Sequence, residues 1–290
     1  MGGMPLVIAA LDTPLSEDGE SLALDQLGPL MEFLAARGVD GFFVAGSTGQ
    51  GPLLSDAEWR ELARAAPRAA GGRRVLMNAS APTTREARAR VAFALGAGAD
   101  GVVVATPVAY RYEPRAILQY FRACIEAAGG APVFLYRKMG DPWGAAELAE
   151  LAAAYPNLRG IKDSATEMSE HLSLLRVPGL EVFQGYEALT ALSVLAGGAG
   201  PASGLATVLP EIVVEVTRAA AENAPGLWAM QERLTRARTL VCARNPYAAF
   251  KALLELRGIP VGVPRQPFLP LAEGELDQIV RGLVELGVAL

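Results

Sequence analysis

The stretch Gly98-Ala99-Asp100-Gly101-Val102-Val103-Val104-Ala105 displays the unit from which the chain is built. Gly98 comes after an Ala/Leu/Arg-rich helical pattern, and glycine supplies the left-handed turn that ends a helix. Asp100 can hydrogen-bond the turn into the next strand. Gly101–Ala105 is then a short, continuously apolar run of the kind a strand shows when both of its faces are covered. The same grammar stands at Arg37-Gly38-Val39-Asp40-Gly41, ahead of the run 41–45.

Working outward, apolar runs recur at 6–10, 41–45, 75–79, 101–105, 133–136, 160–162, 182–184 and 200–203. Helical patterns separate them at 24–37, 56–69, 84–95, 115–128, 145–154, 167–175 and 187–195. Strands alternating with helices imply parallel pairing, and eight such units favour closure, so the pattern predicts an α/β fold, a (β/α)8 TIM barrel. Four further helical stretches come after them, at 210–222, 226–243, 246–257 and 274–286. The first completes the barrel, giving a catalytic domain over 1–222. The rest form a C-terminal helical extension over 223–290, which we expect to pack on the barrel because no linker-like composition separates them.

Composition narrows the function. A net charge of −5 leaves no basic excess to neutralise phosphates, so nucleic acid is excluded as the main partner. Cys124 and Cys242 stand alone with no metal-type spacing, which reads as two reduced thiols. The uncharged stretch 188–210 is punctuated by Gly197, Gly198, Gly200, Pro201 and Gly204, too heavily for a membrane helix. The start of the chain has no basic region or long apolar run, so the expectation is a soluble cytoplasmic protein without a signal peptide or membrane partner. One histidine, His171, in a helical stretch, is expected at the surface, and no metal site is expected.

The chain holds 26 lysines and arginines, and only Lys138, Lys162 and Lys251 are lysines. Where arginine serves almost every need for a surface cation, a lysine invites attention, because a desolvated amine can shed its proton and attack a carbonyl while a guanidinium cannot. Lys162, in Gly160-Ile161-Lys162-Asp163, falls at the C-terminal end of the sixth run, where barrel enzymes carry their chemistry. Burial statistics alone favour a strand-end lysine reaching for solvent, so its surroundings must decide. Asp163 reads as a loop or helix-capping residue.

Three other places sit at the same end. Gly46-Ser47-Thr48-Gly49-Gln50-Gly51-Pro52, after the second run, offers backbone N–H groups and two hydroxyls, a cradle for a carboxylate. A nucleotide-binding loop is excluded there because no Gly-Lys-Ser/Thr is present after it. Tyr136 ends the fifth run, where a phenol can relay a proton or simply plug the barrel. Thr106-Pro107-Val108-Ala109-Tyr110-Arg111-Tyr112, after the fourth, lines either the pocket or a subunit contact.

Gly46-Ser47-Thr48-Gly49, Tyr136 and Gly160-Ile161-Lys162-Asp163, in this order and spacing, resemble the dihydrodipicolinate synthase/N-acetylneuraminate lyase family of class I pyruvate-handling aldolases. The resemblance runs from Ala10-Leu11-Asp12-Thr13-Pro14 into the C-terminal helices. It implies a lyase that needs no cofactor beyond the lysine imine. Lys162 would form the Schiff base with pyruvate or another 2-oxo acid, Ser47 and Thr48 with Gly49 would hold the carboxylate, and Tyr136 would shuttle protons. Gly185 and Ser203 would lie along the pocket backbone. It also implies a homo-oligomer, commonly a tetramer, with sites near subunit contacts.

Departures bear on the substrate. Gln50 replaces the Glu most members carry, and Gly49-Gln50-Gly51-Pro52 with Pro264-Arg265-Gln266-Pro267 looks more like the 2-keto-3-deoxygluconate aldolase branch. Asp141 stands where true dihydrodipicolinate synthases place an arginine. Ala109, beside Tyr110, stands where they place a tyrosine that crosses a subunit contact. Arg137, Lys138 and Arg111 offer a different anion-binding set. The expected reaction joins or cleaves pyruvate and an aldehyde, with a 2-keto-3-deoxy sugar acid as substrate. The alternatives are dihydrodipicolinate synthase, a related 2-oxo-acid dehydratase, or a barrel that binds a 2-oxo acid without turnover.

Overall fold

The computed structural model describes residues 4–290. Eight parallel strands close into a barrel in sequence order: β1 (Ile8–Ala10), β2 (Gly41–Val44), β3 (Arg74–Asn78), β4 (Gly101–Ala105), β5 (Val133–Arg137), β6 (Leu158–Asp163), β7 (Glu181–Gln184) and β8 (Gly200–Ser203), with β8 pairing back onto β1. Helices α1 (Leu27–Ala35), α2 (Asp56–Ala69), α3 (Thr84–Gly96), α4 (Pro114–Ala127), α5 (Ala145–Ala154), α6 (Met168–Leu175), α7 (Thr190–Leu195) and α8 (Pro210–Ala221) come after their strands in turn. Among the described residues no helix is long and apolar enough to cross a membrane.

Because side chains alternate along a strand, the molecule has two cores. Ile8, Phe43, Leu76, Val103, Phe134 and Phe183 fill the barrel interior. Their outward neighbours, such as Ala9, Phe42, Leu135 and Val182, pack beneath the helices in the larger core. A lysine or tyrosine on an inward position is thereby delivered among aromatic rings.

The Gly-x-Asp-Gly units behave as the sequence suggests in one respect and differ in another. Gly38 and Gly98 take φ of 88° and 101°, the left-handed region that ends a helix cheaply only with glycine. The aspartates, however, reach sideways. Asp40 accepts from the backbone N–H of Val7 (2.8 Å) and Asp100 from that of Val75 (2.7 Å). Each carboxylate thus satisfies an amide at the start of the adjacent strand instead of tightening its own turn.

Beyond α8 lie α9 (Leu227–Cys242), α10 (Pro246–Leu256) and α11 (Glu275–Glu285). A buried lysine ties this region to the barrel: Lys251 of α10 donates to Asp12 Oδ1 (2.8 Å), the Thr13 carbonyl (2.9 Å) and the Val261 carbonyl (2.9 Å). All three ammonium hydrogens have acceptors, which is how a buried lysine remains tolerable. Burial raises the Asp12 carboxyl above its ordinary value, with the charge and hydrogen bond of Lys251 opposing the rise.

Candidate active site

Strand register assembles the site. Tyr136 of β5 pairs with Lys162 of β6, which pairs with Phe183 of β7, so all three point into the barrel at one level. The Lys162 nitrogen lies 4.8 Å from the centroid of the Phe43 ring and 4.8 Å from that of Tyr136, and the residue is 8% exposed. Among the described residues no Asp or Glu oxygen comes within 4.0 Å of it. The sequence's strand-end lysine is therefore drawn inward, not extended into solvent.

Ser164 Oγ lies 3.5 Å from the Tyr136 hydroxyl, and Ser47 lines the same cavity as the phenol. Burial acts to raise the Tyr136 pKa, but the charge at Lys162, the Ser164 hydroxyl, the charge at Lys138 and the nearby Ser47 hydroxyl outweigh it, so the phenol sits below its ordinary value. Opposite charge and hydrogen bonds to the ionised form both act in that direction. Removing one cation must push the phenol back up. Lys138→Met is expected to move the Tyr136 ionisation to higher pH in an ultraviolet tyrosinate titration, with Tyr136→Phe identifying the step. No upward movement in Lys138→Met would contradict this electrostatic account.

The loop after β2 is held in a strained form. Its end residues Ala45 and Gln50 take φ of 56° and 51°, and Gly51 is pressed so close that a Cβ would lie 1.9 Å from the Ala45 carbonyl oxygen. Non-glycine residues at positive φ persist where surroundings enforce them, often at sites of function. Gln50 is buried and exchanges two hydrogen bonds with the backbone of Arg265, at 3.1 and 3.4 Å. Arg265 in turn binds Glu58 of α2 and the carbonyls of Gly19 and Glu20. The two segments singled out in the sequence, Gly49–Pro52 and Pro264–Pro267, are thus in direct contact.

The remaining expected residues divide. Ser47 joins the site; Thr48 is half-buried, its hydroxyl directed toward Gly204 at the end of β8. Gly49 serves close packing: its carbonyl accepts from Thr13 Oγ1 (2.7 Å), and a Cβ there would lie 2.6 Å from the Leu11 carbonyl oxygen. Gly185 lies against the lysine, where a Cβ would stand 2.9 Å from Lys162 Cε and 2.0 Å from Ser164 Oγ. Gly185→Ala must displace one of them, at a cost of about 1–3 kcal/mol. The expected result is a roughly tenfold or greater slowing of lysine imine formation, read by the rate of reductive trapping with pyruvate. An unaltered trapping rate would refute this steric role.

Three residues turn their side chains elsewhere. Ser203 is fully buried, donates to Glu187 Oε1 (2.7 Å) and accepts from the Ala206 amide, so its hydroxyl is occupied in the structure. Arg137 faces outward, as strand alternation demands of the residue after Tyr136. It binds Asp163 (3.1 Å), the Trp143 carbonyl (3.0 Å) and Glu170, and so has no free donor face for a substrate at the mouth. Tyr110 is 77% exposed on the loop after β4, edge-on to Tyr112 and outside the cavity.

His171 and Asp163 depart from the sequence reading. Both are fully buried, Asp163 being the last residue of β6. His171 Nδ1 lies 3.0 Å from Asp163 Oδ2, and its Nε2 lies 2.8 Å from Ser193 Oγ. This Ser–His–Asp chain has none of its members exposed to a substrate, and it braces β6 against α6 and α7. Polarity in a helical stretch signals solvent unless a partner elsewhere in the chain satisfies it, and here two do. Among the described residues no group of three or more His, Cys, Asp or Glu is placed to hold a metal ion.

Above Tyr136 a cavity of about 570 Å³ opens toward α2 and α3, lined by Ser47, Asn78, Thr106, Tyr136 and Lys138 among others. Lys162 does not line it; it stands below, in the apolar barrel interior. A second depression, at the opposite end of the barrel around Arg74, Asp100 and Glu181, is remote from these groups.

A closed parallel barrel thus holds an amine on β6 among aromatic rings, at the strand ends where barrel enzymes carry their chemistry. The chain belongs to the dihydrodipicolinate synthetase family, whose model matches residues 4–285. It is therefore a class I pyruvate-dependent aldolase or lyase at the level of the family. It is 32% identical over 288 residues to a 4-hydroxy-tetrahydrodipicolinate synthase of Azoarcus sp., covering 97% of this chain and 98% of that one. Solved structures similar to it include dihydrodipicolinate synthase from Cyanidioschyzon merolae with lysine bound (TM-score 0.91, 26% identity, 99% of each chain covered). KD(P)GA from T. tenax is another, with a TM-score of 0.85 and 29% identity, covering 97% of this chain and 99% of that one.

Proposed function

We propose that Lys162 is the Schiff-base lysine and that the enzyme cleaves, or in reverse forms, the bond between pyruvate and an aldehyde in a 2-keto-3-deoxy sugar acid. The observation that carries this reading is the Tyr136–Lys162 register, with the Ser164 hydroxyl by the phenol and no carboxylate on the amine. The Lys162 amine adds to the 2-oxo carbon and water leaves, giving a protonated imine. Tyr136 takes the proton from the hydroxyl at C4; the C3–C4 bond breaks, an aldehyde departs, and the electron pair enters the imine as an enamine. Protonation at C3 and hydrolysis then release pyruvate and restore the amine. Ser47 and Thr48 hold the substrate carboxylate, and no cofactor or metal takes part. Gly49 and Gly185 shape the pocket's backbone.

The sugar-acid half of the reading rests on Gln50 lodged against Arg265 and on Asp141 in place of an arginine. The names of the curated relatives favour a second reading, 4-hydroxy-tetrahydrodipicolinate synthase, on the same imine chemistry. We further read residues 1–222 as the catalytic barrel and 223–290 as its packed extension, in a homotetramer that brings Tyr110 to a subunit contact. Borohydride reduction with pyruvate, peptide mass analysis, and then assays of pyruvate release from 2-keto-3-deoxy sugar acids test the proposal. No adduct on Lys162 would overturn it. An adduct with condensation activity but no sugar-acid cleavage would favour the synthase, and an adduct with no turnover a binding role.

A further inference from the structure

The segment after Tyr136 forms a closed turn. The Asp141 amide donates to the Lys138 carbonyl (3.2 Å), and Gly140 takes φ of 83°, a conformation suited to glycine. Asp141 Oδ2 accepts from the Lys138 amide (2.9 Å) and from Thr106 Oγ1 (3.0 Å), while Thr106 accepts from Trp143 Nε1 (3.0 Å). The Asp141 carboxylate is therefore spent on fixing this turn to the loop after β4. Its effect is to hold the Lys138 backbone at the rim of the cavity.

The Lys138 side chain lines that cavity, with its nitrogen 5.3 Å from the centroid of the Tyr136 ring. The Lys162 nitrogen lies 4.8 Å from the same centroid. One phenol ring thus carries a cation from below and a cation from the rim. No Asp or Glu oxygen lies within 4.0 Å of the Lys138 nitrogen among the described residues. The other basic groups near the mouth are engaged or turned away. Arg137 is bound to Asp163 and Glu170, Arg60 and Arg90 both face Asp56, and Arg111 is exposed outside the cavity. A half-buried ammonium with no counter-charge, held at the open side of a reactive centre, is a subsite for an anion.

Building on the reading of Lys162 as the imine lysine, we infer that Lys138 binds an anionic group, carboxylate or phosphate, at the far end of the aldehyde half of the substrate. The placement fits a short-chain aldehyde. Its carbonyl carbon must meet the enamine carbon held by Lys162, and the shared ring keeps the two nitrogens no more than about 10 Å apart, a span for an aldehyde of a few carbons with an anionic end. Neutral aldehydes reach the same enamine without this contact, so Lys138 acts on which aldehyde is used, while its pull on the Tyr136 phenol falls on charged and neutral aldehydes alike and cancels in their ratio.

The test compares full-length wild type, Lys138→Met and Lys138→Arg in pyruvate condensation, with melting temperature as the check on folding. The aldehydes are D-glyceraldehyde, D-glyceraldehyde 3-phosphate, succinate semialdehyde and butanal. In wild type, kcat/KM for an anionic aldehyde is expected to exceed that for its neutral counterpart by about ten- to a hundredfold, the range for a hydrogen bond to a charged group. Lys138→Met should bring that ratio close to one, chiefly through KM, and Lys138→Arg should restore part of it. The larger wild-type preference identifies phosphate or carboxylate as the group bound. A ratio unchanged in Lys138→Met, or a loss equal for charged and neutral aldehydes, overturns the inference while leaving the imine lysine standing. Failure of wild type to give a borohydride adduct with pyruvate alone, an assay with no aldehyde in it, overturns the underlying reading as well.

Discussion

Lys162→Arg is expected to abolish the borohydride-trapped pyruvate adduct and to lower turnover by about 10⁴-fold or more, a loss typical of removing a covalent nucleophile. The substitution keeps a cation of similar length between the rings of Phe43 and Tyr136, so the charge survives and the nucleophile does not. Because arginine is bulkier and Gly185 already touches the lysine stem, a melting curve must accompany the assay. A folded variant that still traps pyruvate would move the chemistry to another amine, with Lys138 the first to test by peptide mass.

The second large effect concerns stability. Lys251→Met removes the only counter-ion of Asp12 among the described residues and strands a fully buried carboxylate, which costs about 3–5 kcal/mol. That corresponds to a fall in melting temperature on the order of 10 °C. The sign of its pH dependence comes from Asp12. Burial already raises this carboxyl in the folded state, and losing Lys251 removes the effect that opposes the rise. Over the range between the unfolded carboxyl's pKa and this raised one, the folded state holds a proton that the unfolded chain has released, so stability falls as pH rises. The deficit of Lys251→Met should therefore be largest near neutral pH and shrink on acidification toward the ordinary carboxylate range. A double variant, Lys251→Met with Asp12→Asn, should recover part of the loss. A deficit that grew on acidification would show that Asp12 is not the stranded charge.

The barrel was legible because each unit repeats a local code: a glycine that must end a helix, an aspartate, and an apolar run of strand length. All of these lie within a few residues of one another. Most strand and helix limits shift by only a residue or two between pattern and structure, although 24–26 and 187–189 form single 3-10 turns ahead of α1 and α7. The Lys162–Tyr136 pair was legible for a related reason, since each lies one residue from the end of its strand and alternation fixes which way it points. What sequence reasoning missed depends on partners remote in the chain. His171 reads as a surface residue until Asp163 and Ser193 are seen on its two nitrogens. Arg137 reads as a free cation until Asp163 and Glu170 occupy it. The bond from Lys251 to Asp12 spans nearly the whole chain and has no local signature.

The outward residues of β5 and β6 have one more consequence. Arg137 and Asp163 form a register pair directly after Tyr136 and Lys162, and they are bolted to α6 and α7 by Glu170, His171 and Ser193. The reactive pair is therefore aimed from behind, by a frame that no substrate touches. The turn at 138–141 hangs from the front of that frame by its own bonds to Thr106. Changing its side chains amounts to changing the tip of a tool whose handle stays clamped, and a new aldehyde can be tried without re-aiming the amine that attacks pyruvate.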